Sequence, residues 1–194
     1  SKLPTLKKKT KAGGHWYTTE KKDYDYVTSR IADAMTDKQE QFGRIMRMRA
    51  LMDYTTKELY VKGLLKNTND KCIVFANTMK QADRICKYSY HSKNKKSDEN
   101  LELFSDGRIN SLSCVLQLSE GISISNLKQG IIMHAYGNEK KTAQRIGRLL
   151  RLSPSEEAIC HVLCYKGTQD EKWVNSALQS FDSNKVFIFN PLKQ

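Results

Sequence analysis

The run Cys72-Ile73-Val74-Phe75-Ala76 constrains this chain more than any other stretch. Five consecutive apolar residues leave no polar side to face water, so a strand here must be covered on both faces. Strands of that kind belong to parallel sheets with helices packed above and below. The rest of the chain fits this requirement. Asn77-Thr78 reads as a cap for a helix from Met79 to about Tyr88. A short strand over Tyr88–His91 follows, then a helix near Asp98–Phe104. Ile109–Cys114, Gly130–Ala135 and Ala158–Cys164 read as further strands. A helix around Gln144 lies between the last two, Gln169–Phe181 gives another, and Val186–Phe189 is expected to form a terminal strand. The pattern is that of a doubly wound α/β protein with a mainly parallel sheet.

Helices come before the alternation. Val27, Ile31, Ala34 and Met35 recur at helical spacing from Asp25 onward. A second helix starts near Thr36, with Gln39 placed for a capping box, and carries Phe42, Ile45 and Met46. A third starts near Thr55, with Glu58 in the same relation, and carries Tyr60, Val61, Leu64 and Leu65 until Asn67-Thr68-Asn69-Asp70 breaks the period. The expected organisation is a basic arm or linker over residues 1–24, a helical lead-in segment packed on the core over 25–68, and the α/β domain over 69–194. Lys2, Lys7, Lys8, Lys9 and Lys11 followed by Gly13-Gly14 read as an unpacked strap.

Lysine and arginine number 33 against 21 acidic residues, a net charge of +12, and the isoelectric point is near 9.5. Such a surface suits nucleic acid before any other partner. No long apolar run or signal-peptide pattern occurs, so a cytoplasmic protein with no membrane role is expected, in a bacterial or phage-infected cell. The five cysteines lack a framework spacing and mostly lie in apolar strand-like runs, where cysteine is a small hydrophobe. Cys160-His161 with Cys164 lacks the second cysteine pair of a tetrahedral site, so no metal site is expected.

The sharpest chemical feature is Gln144-Arg145-Ile146-Gly147-Arg148-Leu149-Leu150-Arg151. On a helix at about 100° per residue, Ala143, Ile146, Leu149 and Leu150 share one side, with Gln144, Arg145, Arg148 and Arg151 on the other. No carboxylate lies between Glu139 and Glu156 to neutralise these arginines within the helix, and guanidinium forks suit phosphate. Ligands of such sheets gather at the carboxyl ends of the strands. Four stretches sit there: Asn77-Thr78-Met79-Lys80, His91-Ser92-Lys93, Ser119 through Leu127, and the turn into the Gln144 helix. Each offers short polar side chains, backbone N–H groups or a lysine, the groups that hold phosphate.

In order and spacing these stretches resemble the second, C-terminal RecA-like domain of superfamily 2 helicases and translocases. Lys71 through Thr78 resembles motif IV. Gly107 through Cys114 is similar to the strand into motif V, and Leu118 through Leu127 to motif V itself. The arginine octamer matches the Q-R-x-G-R-x-x-R form of motif VI. The likeness covers about residues 44 to 165. The helices before Asn67 are similar to those leading into this domain in remodelling-type translocases. The Gly-Ile-Ser-Ile form of motif V is nearer to phage helicases that act on recombination intermediates. Two positions depart from the pattern. Val115 stands where many relatives carry a phosphate-contacting threonine, and Ser123 where an aspartate is common.

The resemblance implies a three-layer α/β/α RecA-like domain within an ATP-dependent DNA helicase or translocase, with RNA as the alternative strand. ATP and Mg2+ would be held mainly by a first RecA-like domain of the same polypeptide, the second domain's partner along with DNA. Arg148 and Arg151 would act as arginine fingers, and Gln144, Arg145, Gly121 and Ser123 would meet the nucleotide. Asn77, Thr78, Lys80, Ser92, Lys93, Ser119 and Glu120 would contact nucleic acid. The sequence contains no G-x-x-x-x-G-K-[ST] and no Asp-Glu-Ala-His-like stretch, so the chain by itself is expected not to hydrolyse ATP. The alternative is a non-catalytic helicase-like module that binds nucleic acid through its basic surface.

Overall fold

The structure is a computed structural model and describes residues 4–115, 124, 126–135 and 157–191. Two compact units emerge, residues 1–60 and 61–194.

The first unit opens with an antiparallel ribbon, β1 (Thr5–Lys9) and β2 (His15–Thr19), where the sequence suggests an unpacked arm. Its turn depends on Gly13 (φ 84°), which takes the left-handed backbone that closes Gly13 N–H on Thr10 O at 3.1 Å. The ribbon is not left to itself. Lys8 Nζ donates to Asp23 Oδ2 at 2.9 Å, and Asp23 lies in α1 (Glu20–Ala32) and is buried. That helix starts five residues before Asp25, because the Thr19 hydroxyl accepts the Lys22 N–H and fixes the start there.

Helix α2 (Asp37–Asp53) has the expected cap: Thr36 Oγ1 accepts the Gln39 N–H, and Gln39 Oε1 reaches back to the Met35 N–H at 2.9 Å. Its buried residues are Gly43 and Leu51, whereas Phe42, Ile45 and Met46 are exposed. Gly43 decides this. A Cβ there would lie 2.8 Å from Ile31 Cγ1, so α2 approaches α1 through the glycine and its larger apolar residues turn outward. Helix α3 (Thr56–Asn67) receives its start from another helix. Glu20 Oε1 of α1 accepts the Thr55 and Thr56 N–H groups at 2.7 and 3.1 Å. The Tyr54 hydroxyl donates to Asp23 Oδ2 at 3.0 Å, so one buried carboxylate oxygen receives both Lys8 and Tyr54. The boundary between the units falls inside α3, between Tyr60 and Val61.

The second unit is a five-stranded sheet in the order β4-β5-β3-β6-β7, with every pairing parallel. The strands are β3 (Cys72–Ala76), β4 (Ser89–Tyr90), β5 (Ser111–Val115), β6 (Gln129–Ile132) and β7 (Ile159–Val162). β3 lies at the centre and is buried along its whole length, as its composition requires. Its side chains alternate between two cores. Cys72, Val74 and Ala76 join Val61 of α3, Ala82 and Ile85 of α4 (Met79–Ile85), and Ile131 and Met133. Ile73 and Phe75 join Leu112, Cys114, Ile132 and Phe104 of α5 (Ser97–Ser105). Gly107 (φ 75°) ends that helix, its N–H bonded to Phe104 O at 3.2 Å. Helix α6 (Gln169–Leu178) packs Val174 and Ala177 against Ala135. The result is the RecA-like three-layer α/β/α architecture.

Val186–Phe189 departs from expectation. It follows a 3₁₀ turn at Ser183–Lys185 and pairs with no strand among the described residues, with Phe187 and Ile188 exposed. β propensity alone does not make a strand without a neighbour to supply the ladder. The Gln144 helix lies outside the described residues. No described helix is long and apolar enough to cross a membrane.

Candidate nucleic-acid and nucleotide site

In open parallel sheets, ligands gather at the carboxyl ends of the strands where the strand order reverses. β3 leads to strands on one side of itself and β6 to β7 on the other, so the chain switches direction between these two neighbours. Phe75 is in register with Ile132, and the Met133 N–H donates to Phe75 O at 3.1 Å. The loop carrying Asn77 and Thr78 therefore leaves the sheet beside the segment Met133–Ala135, after which the sequence runs on towards the arginine octamer.

At the end of β3, Thr78 is the N-cap of α4. Its hydroxyl accepts the Gln81 N–H at 3.1 Å, and the buried Gln81 returns its Oε1 to the Asn77 N–H at 2.9 Å. This reciprocal pair holds the loop in shape and leaves Asn77 Nδ2 buried with no hydrogen-bond partner among the described residues. Thr78 and Lys80 are exposed on the first turn, where the helix N-terminus favours anions.

After β4 the chain turns through Ser92 and Lys93, both exposed. The Ser92 hydroxyl lies 3.8 Å from Met79 Sδ, which joins this turn to the first turn of α4. Five of the residues expected to meet nucleic acid thus fall on two adjoining segments: Asn77, Thr78 and Lys80 at the loop and first turn of α4, Ser92 and Lys93 on the turn after β4. The remaining expected residues are Ser119, Glu120, Gly121, Ser123, Gln144, Arg145, Arg148 and Arg151. All eight lie outside the described residues.

A polar cluster beneath the Ser92 turn has no clear signature in the sequence. His91 is buried, and its Nε2 lies 2.9 Å from Asp83 Oδ1. An ionised carboxylate only accepts, so His91 donates to it through Nε2. Ser89 Oγ donates to the same Asp83 oxygen at 2.6 Å. Burial would raise the Asp83 pKa, but the hydrogen bonds from Ser89 and His91 and the charge of His91 outweigh it and hold the carboxyl below its ordinary value. Asn94 and Asn100 each donate to Ser89 O at 2.9 Å, and Ser97 Oγ bridges the His91 N–H and C=O. These bonds fix the turn from below. A run of serine and asparagine at loop spacing is the one sequence sign of such a network.

The five cysteines form no disulfide. Burial pushes the thiols of Cys72 and Cys160 up to about 12 and that of Cys86 to about 11, so all three stay protonated at neutral pH. Among the described residues, no three His, Cys, Asp or Glu side chains group closely enough to hold a metal ion.

A parallel sheet with its loops gathered at a central switch point defines the class, a RecA-like domain. The chain belongs to the helicase conserved C-terminal domain family, whose model matches residues 51–153. It is therefore a superfamily 2 C-terminal domain, as the motif order suggests. Among its relatives is the DNA 3'-5' translocase XPB2 of Sulfurisphaera tokodaii, 30% identical over 108 residues. That match takes in 53% of this chain and 24% of the relative, so the chain spans about a quarter of that protein. The Escherichia coli DEAD-box protein SrmB, solved with regulator of ribonuclease activity A, shares the fold at a TM-score of 0.54 and 17% identity. Here the match covers 65% of this chain and 79% of that one. A DEAD-box protein of Methanococcus jannaschii superposes with a TM-score of 0.53 at 19% identity, covering 63% of this chain and 36% of the other.

Proposed function

We propose that this domain is the second motor half of an ATP-dependent DNA helicase or translocase. The observation that carries this reading is the family match over residues 51–153, a span that contains both the motif V-like stretch and the arginine octamer. DNA is favoured over RNA by the relationship to a DNA translocase. In this reading Arg148 and Arg151 stabilise the charge that spreads over the transferring phosphoryl group. Such a contribution is worth about 10³–10⁵ in rate. Gln144 and Arg145 link the nucleotide to the interface, and Gly121 and Ser123 line it. Asn77, Thr78, Lys80, Ser92, Lys93 and Ser119 hold the strand's phosphates, and Glu120, whose carboxylate only accepts hydrogen bonds, contacts the strand away from them.

ATP, when bound, supplies the energy that drives closure of the two halves. The side chains assigned to the nucleotide, Gln144, Arg145, Arg148, Arg151 and Ser123, offer amide, guanidinium and hydroxyl groups, which suit phosphate oxygens and do not suit magnesium. Mg2+ is accordingly assigned to the first RecA-like domain of the same polypeptide, and the 194-residue chain alone does not turn over ATP. The test is ATP hydrolysis by a polypeptide joining this domain to a first RecA-like domain, with single-stranded, duplex and forked DNA and with RNA. DNA is expected to stimulate most. Turnover by the 194-residue chain alone, or stimulation by RNA only, would overturn the reading.

A further inference from the structure

The ribbon at the start of the chain has two unlike faces. Leu6, Lys8, Trp16 and Thr18 share one, and Lys8 commits it to α1 through Asp23. The other face carries the pairs Lys7↔Tyr17 and Lys9↔His15, and all four side chains are exposed, Tyr17 by 66%. Lys11 adds a further exposed charge at the turn. No aspartate or glutamate occurs between Pro4 and Thr19, and no ion pair forms at Lys7, Lys9 or Lys11 among the described residues. Lys8 stands apart, because its charge is matched by Asp23.

We propose that this outer face of the ribbon binds single-stranded nucleic acid, independently of the loops at the ends of β3 and β4. Two lysines on one side of a strand stand about 7 Å apart, a spacing suited to successive phosphates of an extended strand. Tyr17 is in register with Lys7 on the same face, and its exposed ring offers a platform for one unpaired base. A duplex hides its base faces and could use only the lysines, so the exposed ring selects a single strand. The proposal does not depend on the arginine roles or on ATP turnover.

The test is fluorescence anisotropy of a labelled oligo-dT and of a labelled duplex with the 194-residue chain, over a range of salt. Tyr17→Ala is expected to weaken oligo-dT binding about tenfold and leave duplex binding unchanged, while Tyr17→Phe keeps the original affinity. Lys7→Ala with Lys9→Ala is expected to lower the slope of log affinity against log salt by about 1.4, at about 0.7 per phosphate on a single strand. Lys80→Ala with Lys93→Ala reports on the strand-end loops. Circular dichroism melting confirms that each variant is folded. If the loop variant weakens binding and the ribbon variants do not, the ribbon proposal falls while the motor reading stands. Equal loss on duplex and single strand in Tyr17→Ala, or no binding of oligo-dT at low salt, also overturns it.

Discussion

Asp83 shows how a single exposed residue can hold a turn in place. Its carboxylate receives Ser89 and His91, and those two bonds position the backbone that carries Ser92 and Lys93. The folded-state pKa lies below the ordinary value of about 3.9. Its stabilising contribution is therefore fully present above that value and is lost as pH falls through the lower folded-state value. The side chain is 54% exposed, so solvent screens the effect and the loss is small. Denaturant unfolding from pH 6 to pH 3 is expected to show Asp83→Asn less stable than the native chain at pH 6, with the gap closing below pH 4. A constant gap would remove the carboxylate from the account. The cysteines give a second check at this scale. Cys164 is the exposed member, so a thiol reagent at neutral pH should modify it first and reach Cys72, Cys86 and Cys114 only after unfolding. Rapid modification of Cys86 in the folded chain would contradict the burial described.

At the scale of elements, the first unit is held by carboxylates reaching between segments. Glu20 caps α3 from α1, and Asp23 joins the ribbon to the residue that ends α2. Burial first, then the charge of Asp23 and the bond to it, drive the Tyr54 phenol well above its ordinary pKa, so it stays a donor throughout the physiological range. Tyr54→Phe is expected to cost about 1–3 kcal/mol in equilibrium unfolding, because Asp23 is left buried with one bond fewer. A change below about 0.5 kcal/mol would show that Lys8 alone satisfies the carboxylate.

The sequence made β3 legible because five apolar residues admit few placements, and it made the caps at Thr36 and Thr78 legible because their partners lie three residues away. The ribbon was not legible. Lys7-Lys8-Lys9 has no apolar alternation, and its strand character rests on Gly13 and on an aspartate fifteen residues later. The outward face of α2 escaped for a similar reason, since the spacing of Phe42, Ile45 and Met46 marks a stripe but only Gly43 decides which way it points. In the candidate site, Thr78 and Lys80 could be read from their place after a strand. Asp83 could not, because its role depends on a histidine eight residues further on and in another element.

At the scale of the molecule, a +12 chain places a sheet with phosphate-suited loops in one unit and a basic ribbon in another. Charge of this size favours polyanions and strengthens their binding at low salt. In the proposed function, the octamer supplies the charge that completes a nucleotide site begun in the first RecA-like domain. The most direct measurement is single-turnover ATP hydrolysis by a polypeptide carrying both RecA-like domains, with saturating DNA, comparing Arg148 with Arg148→Ala and Arg148→Lys. Both variants are expected to bind ATP and DNA nearly as before and to lose about 10³-fold or more in hydrolysis, because lysine cannot reproduce the guanidinium fork. Hydrolysis by Arg148→Ala within a few-fold of the unaltered rate would contradict it.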